Sequence, residues 1–331
     1  MFWHSAYDKG RSMHAYITRR ILEAIPLILL VLVMNFIILH IAPGDPVFLF
    51  IQGGGGATEE YVQQVRQMLG LDKPLGEQLL VFIANVFRGE LGFSHYYQRP
   101  VIDIIGERIP ITFLLVVLST LFAATAGIIL GVFAGKRPYS LVDRINTIVA
   151  VFGYAIPIFW FGQLLILAFS IYLNILPTGG IPTRAMGGGS FLDWIRHLVL
   201  PVLSLGVIQL ALAARITRAN MLEVLGMDYI DSARAKGLKE NTVIFKHALR
   251  NAVLPVVTVI SVNFAFQLTG AMIIETVFSW PGLGRMMFES VFRRDYPVLM
   301  GLLIVMSVGV VIINLITDLI YAYLDPRVVY E

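Results

Sequence analysis

Six runs of apolar residues, each about as long as a lipid bilayer is thick, constrain this 331-residue chain more than any other feature. They extend from about Ala24 to Ile41, Ile111 to Phe133, Ile145 to Leu173, Leu198 to Ala214, Val253 to Ile274 and Val298 to Ile320. Crossing roughly 30 Å of hydrocarbon takes about 20 helical residues, and backbone polar groups in lipid must be satisfied within the segment. Each run is therefore predicted to span a membrane as a helix. The composition agrees: 57% of residues are hydrophobic and 14% charged, with a mean hydropathy of +0.77. A soluble domain carries about 25% charged residues, so this chain has too little polar surface to cover a globule in water. The first run is prolonged by Met34 to Leu39 and stopped by Ala42-Pro43-Gly44-Asp45-Pro46, so it is read as a permanent span rather than a cleaved signal. The expected fold class is an all-α polytopic membrane protein with six transmembrane helices.

Several chemistries are absent. With no cysteine there is no disulfide framework, thiolate metal site or catalytic thiol. A net charge of +3, with no basic stripe interleaved with aromatics, speaks against nucleic acid. Gly135-Lys136 is the nearest approach to a phosphate-binding loop, but Leu130 and Arg137 stand where the glycine and the hydroxyl residue belong. No two of the six histidines lie four apart, which excludes a zinc site of the H-E-x-x-H type.

Positive charge is retained on the cytoplasmic side of a membrane protein. The N-terminal tail, the second and fourth connections and the C-terminal tail together hold fifteen of the 25 Lys and Arg, so both termini are predicted inside. The chain then divides into a cytoplasmic tail (1–20), a first span (21–42), an extracytoplasmic domain (43–110) and a five-helix core (111–331). In the external domain Thr58 can cap a helix through Tyr61, Val65 and Met68 that stops at Gly70, and a second helix runs from about Leu75 to Phe87. Gly53 to Gly56 form a hinge, and Gly187 to Gly189 mark a loop in the third connection.

Within the spans, Gly127, Gly131 and Gly135 recur every four residues, which lets two helix backbones approach closely. Pro157, helped by Gly153, should kink the third span. Polar residues at membrane depth should face protein or water. Asn263 and Gln267 share one face of the fifth span with Thr258 and Ser261 nearby; they form either a hydrophilic wall for a solute or the hydrogen bonds that hold the bundle together.

The stretch from Glu223 to Asn251 is too polar to span. Asp228 or its neighbours can start a helix through Tyr229, Ala233 and Lys236; Gly237 is a natural C′ residue, and a second helix through Val243, Ile244, Ala248 and Leu249 leads to Pro255. Two short helices bent at a glycine between two spans form a stiff lever.

The run Tyr229-Ile230-Asp231-Ser232-Ala233-Arg234-Ala235-Lys236-Gly237-Leu238, followed by His247 to Pro255, resembles the EAA loop of binding-protein-dependent ABC importer permeases in their dipeptide, oligopeptide and nickel form. Arg19-Arg20-Ile21 with Pro43-Gly44-Asp45-Pro46, Leu69 to Leu75, Arg88 to Ser94, and Glu275 to Gly284 with Arg294 to Pro297 are similar to other segments of that family. The resemblance covers nearly the whole chain from Arg19. It implies the type I ABC importer permease fold and alternating access between two permease chains, the second a homologue rather than a copy. It implies two cytoplasmic ATPase subunits, which bind the ATP and magnesium, so that this chain is no enzyme and holds no cofactor or metal. An extracytoplasmic binding protein delivers the solute, and the complex sits in the cell membrane. On this reading Tyr229, Asp231, Ser232, Ala233, Arg234, Lys236, Gly237 and Leu238 couple to the ATPase. Ser261, Asn263 and Gln267 line the pathway, and Trp280, Asp295 and Tyr296 dock the binding protein. Asp231 replaces the family's Glu, Ser232 its Ala, and Lys239 a helix-capping residue. The competing expectation is a secondary transporter driven by an ion gradient through Glu275 or Asp318. An intramembrane enzyme has no nucleophile and base at span depth to support it.

Overall fold

A computed structural model of the chain describes residues 3–41, 59–68, 72–94, 96–182 and 189–324. The Thr58 cap, the Gly53 to Gly56 hinge, the Gly70 stop and Gly187-Gly188 lie outside these residues. The elements in chain order are α1 (Trp3–Ile41), α2 (Glu59–Met68), α3 (Leu75–Phe87), β1 (Phe93–Ser94), β2 (Arg99–Pro100), α4 (Val101–Lys136), α5 (Leu141–Ala155), α6 (Ile158–Tyr172), α7 (Phe191–Leu225), α8 (Asp228–Ala235), α9 (Glu240–Ala252), α10 (Leu254–Val277), α11 (Leu283–Arg293) and α12 (Tyr296–Leu324). Among the described residues four helices are long and apolar enough to cross a membrane: α1 over Ile17–Ile38, α4, α7, and α12 over Tyr296–Thr317. The bent pairs α5/α6 and α9/α10 bring the number to six if each is a single span.

The third apolar run is a break rather than the expected kink. α5 and α6 meet at 112°, with Ile156 at φ −88°, ψ 126° and Pro157 opening α6. The ring of a proline disfavours helical geometry in the residue before it, and Ile156 takes the extended alternative, so the α5 ladder ends at Ala155. The last seven residues of α6, Ile166–Tyr172, are wound as a π-helix.

The chain forms two compact units, Met1–Pro110 with Met286–Glu331, and Ile111–Arg285. In the first, α12 lies along α1. Asn35, buried on α1, donates to the Val31 carbonyl at 2.9 Å, which satisfies a costly polar group within its own helix. α3 meets the end of α1 through Phe36 and Phe82, whose ring centroids are 5.7 Å apart, and through His40 and Gln78 at 3.1 Å. The antiparallel pair β1/β2 carries buried Ser94, whose hydroxyl donates to Asp295 at 2.5 Å; Asp295 in turn accepts from the Val298 N–H in the first turn of α12.

In the second unit α7 is the central element, packed against α5, α6 and α10. At 1.5 Å per residue α7 is roughly 52 Å long, more than the hydrocarbon is thick. α4 meets it through the glycine stripe: a Cβ on Gly127, Gly131 or Gly135 would lie 2.5–2.7 Å from the Cβ of Ala213, Thr217 or Met221. The small residues are thus used within the chain. Gly153 places α5 equally close to Ala211. The Thr120 hydroxyl donates to Gln267 Oε1 at 2.5 Å, and Gln267 Nε2 donates to the Leu205 carbonyl at 3.4 Å, joining α4, α10 and α7.

A candidate coupling segment and a buried carboxylate cap

α7 ends at Leu225, and Met227, extended at ψ 145°, turns the chain into α8. Asp228 and Asp231 occupy the first turn of α8 and Arg234 the last, each where the helix dipole favours its charge. Lys236 closes the helix and Gly237 follows at φ +76°, with its N–H bonded to the Arg234 carbonyl at 2.9 Å. This is the left-handed C′ position expected from the sequence, and nothing lies within 4 Å of where a Cβ would be, so the glycine is required by backbone geometry alone. Lys239 stands at the N-cap of α9 with no side-chain cap bond. α9 passes through a π-helical turn at Val243–Ala248.

The two short helices are tied as one body. Ile230 and Ala233 of α8 are buried against Val243, Ile244, Ala248 and Ala252 of α9, together with Val132 of α4 and Met221 and Val224 of α7. Arg234 reaches across the Gly237 turn to Glu240 at 3.0 Å while holding Asp231 at 3.3 Å. Asn251 donates to the Tyr229 hydroxyl at 2.8 Å, Asn220 of α7 donates to the Ala252 carbonyl, and Lys136 of α4 donates to Asn241. α9 carries Glu240, Lys246 and Arg250, charges that hydrocarbon excludes, and is read as lying outside it. The hydrogen bond from Arg234 holds the Glu240 carboxyl below its ordinary value of 4.5, and the same bond raises the guanidinium. On the outer face Met227, Tyr229, Asp231, Ser232, Lys236 and Leu238 are exposed and leave a polar surface with apolar points for a partner. Of the residues expected to couple, Ala233 is buried, and Arg234 is exposed while also bracing the segment.

A second construction holds the segment after α10. Glu275 has no exposed surface; its carboxylate accepts from the Thr112 hydroxyl at 2.6 Å and the Arg285 N–H at 3.0 Å, while Thr112 accepts from the Leu283 N–H at 2.8 Å. Gly282 lies so close that a Cβ would sit 2.0 Å from that carboxylate. Trp280 is fully buried, donates to the Ile111 carbonyl at 3.2 Å and meets Trp194 edge to face. Gly180 donates to the Phe278 carbonyl at 2.7 Å. The sequence offered Glu275 as the first residue of the family-like Glu275–Gly284 segment and as a carrier in the ion-gradient reading; its role as a buried cap follows from the fold alone.

Of the residues expected to dock the binding protein, Trp280 and Asp295 are 0% and 1% exposed and their side chains build the fold, while Tyr296 is half-buried. Gln267 is buried with both ends of its amide engaged, whereas Ser261 and Asn263 are half-buried; Asn263 donates to the Val259 carbonyl at 2.8 Å. The Asp318 side chain lies outside the described residues.

Residues 127–330 match the family described as binding-protein-dependent transport system inner membrane component, and residues 13–116 match the N-terminal family of the same systems. The chain is 42% identical over 319 residues to the oligopeptide transport system permease protein AppB of Bacillus subtilis, covering 96% of this chain and 100% of that one. It is 40% identical over 336 residues to the dipeptide transport system permease protein DppB of Escherichia coli K12, covering 96% and 99%. It is 41% identical over 316 residues to the glutathione transport system permease protein GsiC of Pectobacterium atrosepticum, again covering 96% and 99%. A chain of the inward-facing MetNI methionine ABC transporter shares the fold, with a TM-score of 0.53 at 18% identity over 68% of this chain and 97% of that one. This chain belongs to the binding-protein-dependent transport system inner membrane component family. It is the permease subunit of an ATP-driven, binding-protein-dependent importer.

Proposed function

We propose that this permease imports di- or oligopeptides. Relatives of near-equal length and similarity are named for oligopeptides, dipeptides and glutathione, all of them peptides. ATP is hydrolysed on two separate cytoplasmic ATPase subunits, an extracytoplasmic protein delivers the peptide, and a second, homologous permease completes the pathway. Both termini and the α8/α9 projection face the cytoplasm, where the Lys and Arg bias puts them. The small helical domain around α2 and α3 faces outward.

The names of the relatives carry the peptide part of this reading; the observation that carries the coupling part is the bracing of α8 against α9. A ligand or partner can shift a two-state bundle only through contacts that differ between the states. A projection pinned by Arg234, Asn251 and the buried Ile230 moves as a body, so that closure of the ATPases on its outer face is delivered to α4 and α7 through Val132 and Met221. Ser261 and Asn263, half-buried on α10, are the proposed wall residues of the pathway.

The test is peptide uptake by the reconstituted complex. ATP with the ATPase subunits should be required, and collapse of proton and sodium gradients should leave uptake intact; gradient-driven uptake by the isolated chain defeats the reading. Gly237→Val should lower uptake and ATPase stimulation with the complex still assembled, because a β-branched residue resists positive φ. Normal uptake in that variant would remove α8/α9 from the coupling.

A further inference from the structure

We infer that the ion pair between Asp143 and Arg218 is the joint that passes movement of α7 to the broken helix pair α5/α6, so that ATP use stays tied to transport. This rests on the coupling role proposed above for α8/α9 and names positioning residues for it.

Asp143 lies in the first turn of α5 and is 4% exposed. Arg218 lies two turns from the end of α7. Its Nε donates to Asp143 Oδ1, and Nη2 donates to Oδ2 at 3.0 Å, a two-point grip that fixes orientation as well as distance. Asp143 Oδ2 also accepts from the Tyr139 N–H at 2.8 Å, where Tyr139 takes φ +63°, and the Ser140 hydroxyl caps the Asp143 N–H. One carboxylate therefore shapes the turn between α4 and α5 and grips α7.

The place of the grip gives it its meaning. On its other side the Arg218 backbone is pressed into the α4 stripe: a Cβ on Gly131 would lie 3.0 Å from the Arg218 N, and one on Gly135 3.2 Å from the Arg218 carbonyl oxygen. Three residues further on, Met221 enters the cluster that seats α8 and α9. Elsewhere α5 meets α7 at Gly153 against Ala211, two small residues in close approach, and at Tyr154, whose ring lies under the Arg215 guanidinium at 5.3 Å. Of these contacts the Asp143–Arg218 pair is the one bonded at two points between opposite charges, and it is the one that most resists a change of register. A push on α8/α9 that displaces the end of α7 thus reaches α5 through Asp143, and α5 leads directly to the 112° break at Pro157.

The experiment uses the importer complex, expressed with its ATPases and binding protein and reconstituted in vesicles, with ATP hydrolysed per peptide imported as the readout. Asp143→Asn keeps one oxygen for the Tyr139 N–H and loses the charged grip. Arg218→Gln leaves a buried carboxylate unpaired and lowers stability, whereas the double variant removes both charges and relieves that penalty. Asp143→Asn and the double variant should assemble and melt like wild type while the ATP-to-peptide ratio rises about tenfold, within the usual range of coupling between sites. If the pair only supports the fold, the double variant recovers the wild-type ratio along with its stability, and the inference is overturned; an unchanged ratio in every variant overturns it equally. Wild-type uptake that ignores ATP would instead strike the coupling role of α8/α9, and this inference with it.

Discussion

Gly131→Ala isolates the contact between α4 and α7. The new Cβ would lie 2.5 Å from the Thr217 Cβ, 2.6 Å from the Ala214 carbonyl oxygen and 3.0 Å from the Arg218 N. Carbon atoms rest at about 3.5–4.0 Å, so the helices must separate locally by about 1 Å. Two of the three atoms are backbone and cannot rotate aside, which puts the cost toward the upper end of the 1–3 kcal/mol range for an overfilled core, about 3 kcal/mol. Replacing glycine by alanine in a helix returns about 1 kcal/mol, leaving a net loss of about 2 kcal/mol. Gly106 supplies the control on the same helix, since a Cβ there would meet nothing within 4 Å and Gly106→Ala should gain about 1 kcal/mol. The two variants should therefore differ by about 3 kcal/mol, on the order of 6–12 °C in thermal midpoint. Thermal unfolding of both proteins in one detergent, followed by tryptophan fluorescence, reads the difference. If Gly131→Ala melts with or above Gly106→Ala, α4 and α7 are not in the contact described, and the route from Met221 to Val132 loses its footing.

Two further expectations concern the carboxylates. Glu275→Ala strands the Thr112 hydroxyl and the Arg285 N–H without an acceptor and should cost about 2–5 kcal/mol, with Glu275→Gln costing less because one oxygen remains; equal melting of Glu275→Ala and wild type would show that the cap does not hold the segment after α10. Because Arg234 holds the Glu240 carboxyl below 4.5, the tie across Gly237 is complete above that value and is lost as pH falls through the lowered one. Amide exchange protection over residues 239–242, corrected for intrinsic rates, should drop in acid, and Glu240→Gln should show the acid behaviour at neutral pH. Pairing by another group is indicated if the variant keeps its protection.

Much of the architecture was legible because its causes are local. Runs of apolar residues set where helices must lie in hydrocarbon, and α3 begins and ends where its period does, at Leu75 and Phe87. Gly237 could be named because a left-handed residue after a short polar helix is a property of the backbone at that point. The glycine stripe announced a close approach but could not name the partner, which lies on α7, 86 residues further along at each of the three positions.

What tertiary structure alone decided are the pairings between distant residues. Pro157 signals that a helix is interrupted; the 112° angle depends on where Gly153 and Gly162 seat the two halves, against Ala211 and Phe278. Trp280 and Asp295 look from sequence like polar or aromatic residues free for a partner, yet the fold closes over both. Asp143 and Arg218 lie outside the six apolar runs, and nothing in the sequence pairs them; folding brings them together across 75 positions. A one-dimensional pattern records the medium in which each segment must lie, because burial in lipid acts on every residue of a run. It carries no record of which helix face will meet which, because that follows from shape and hydrogen-bond geometry once the helices have assembled.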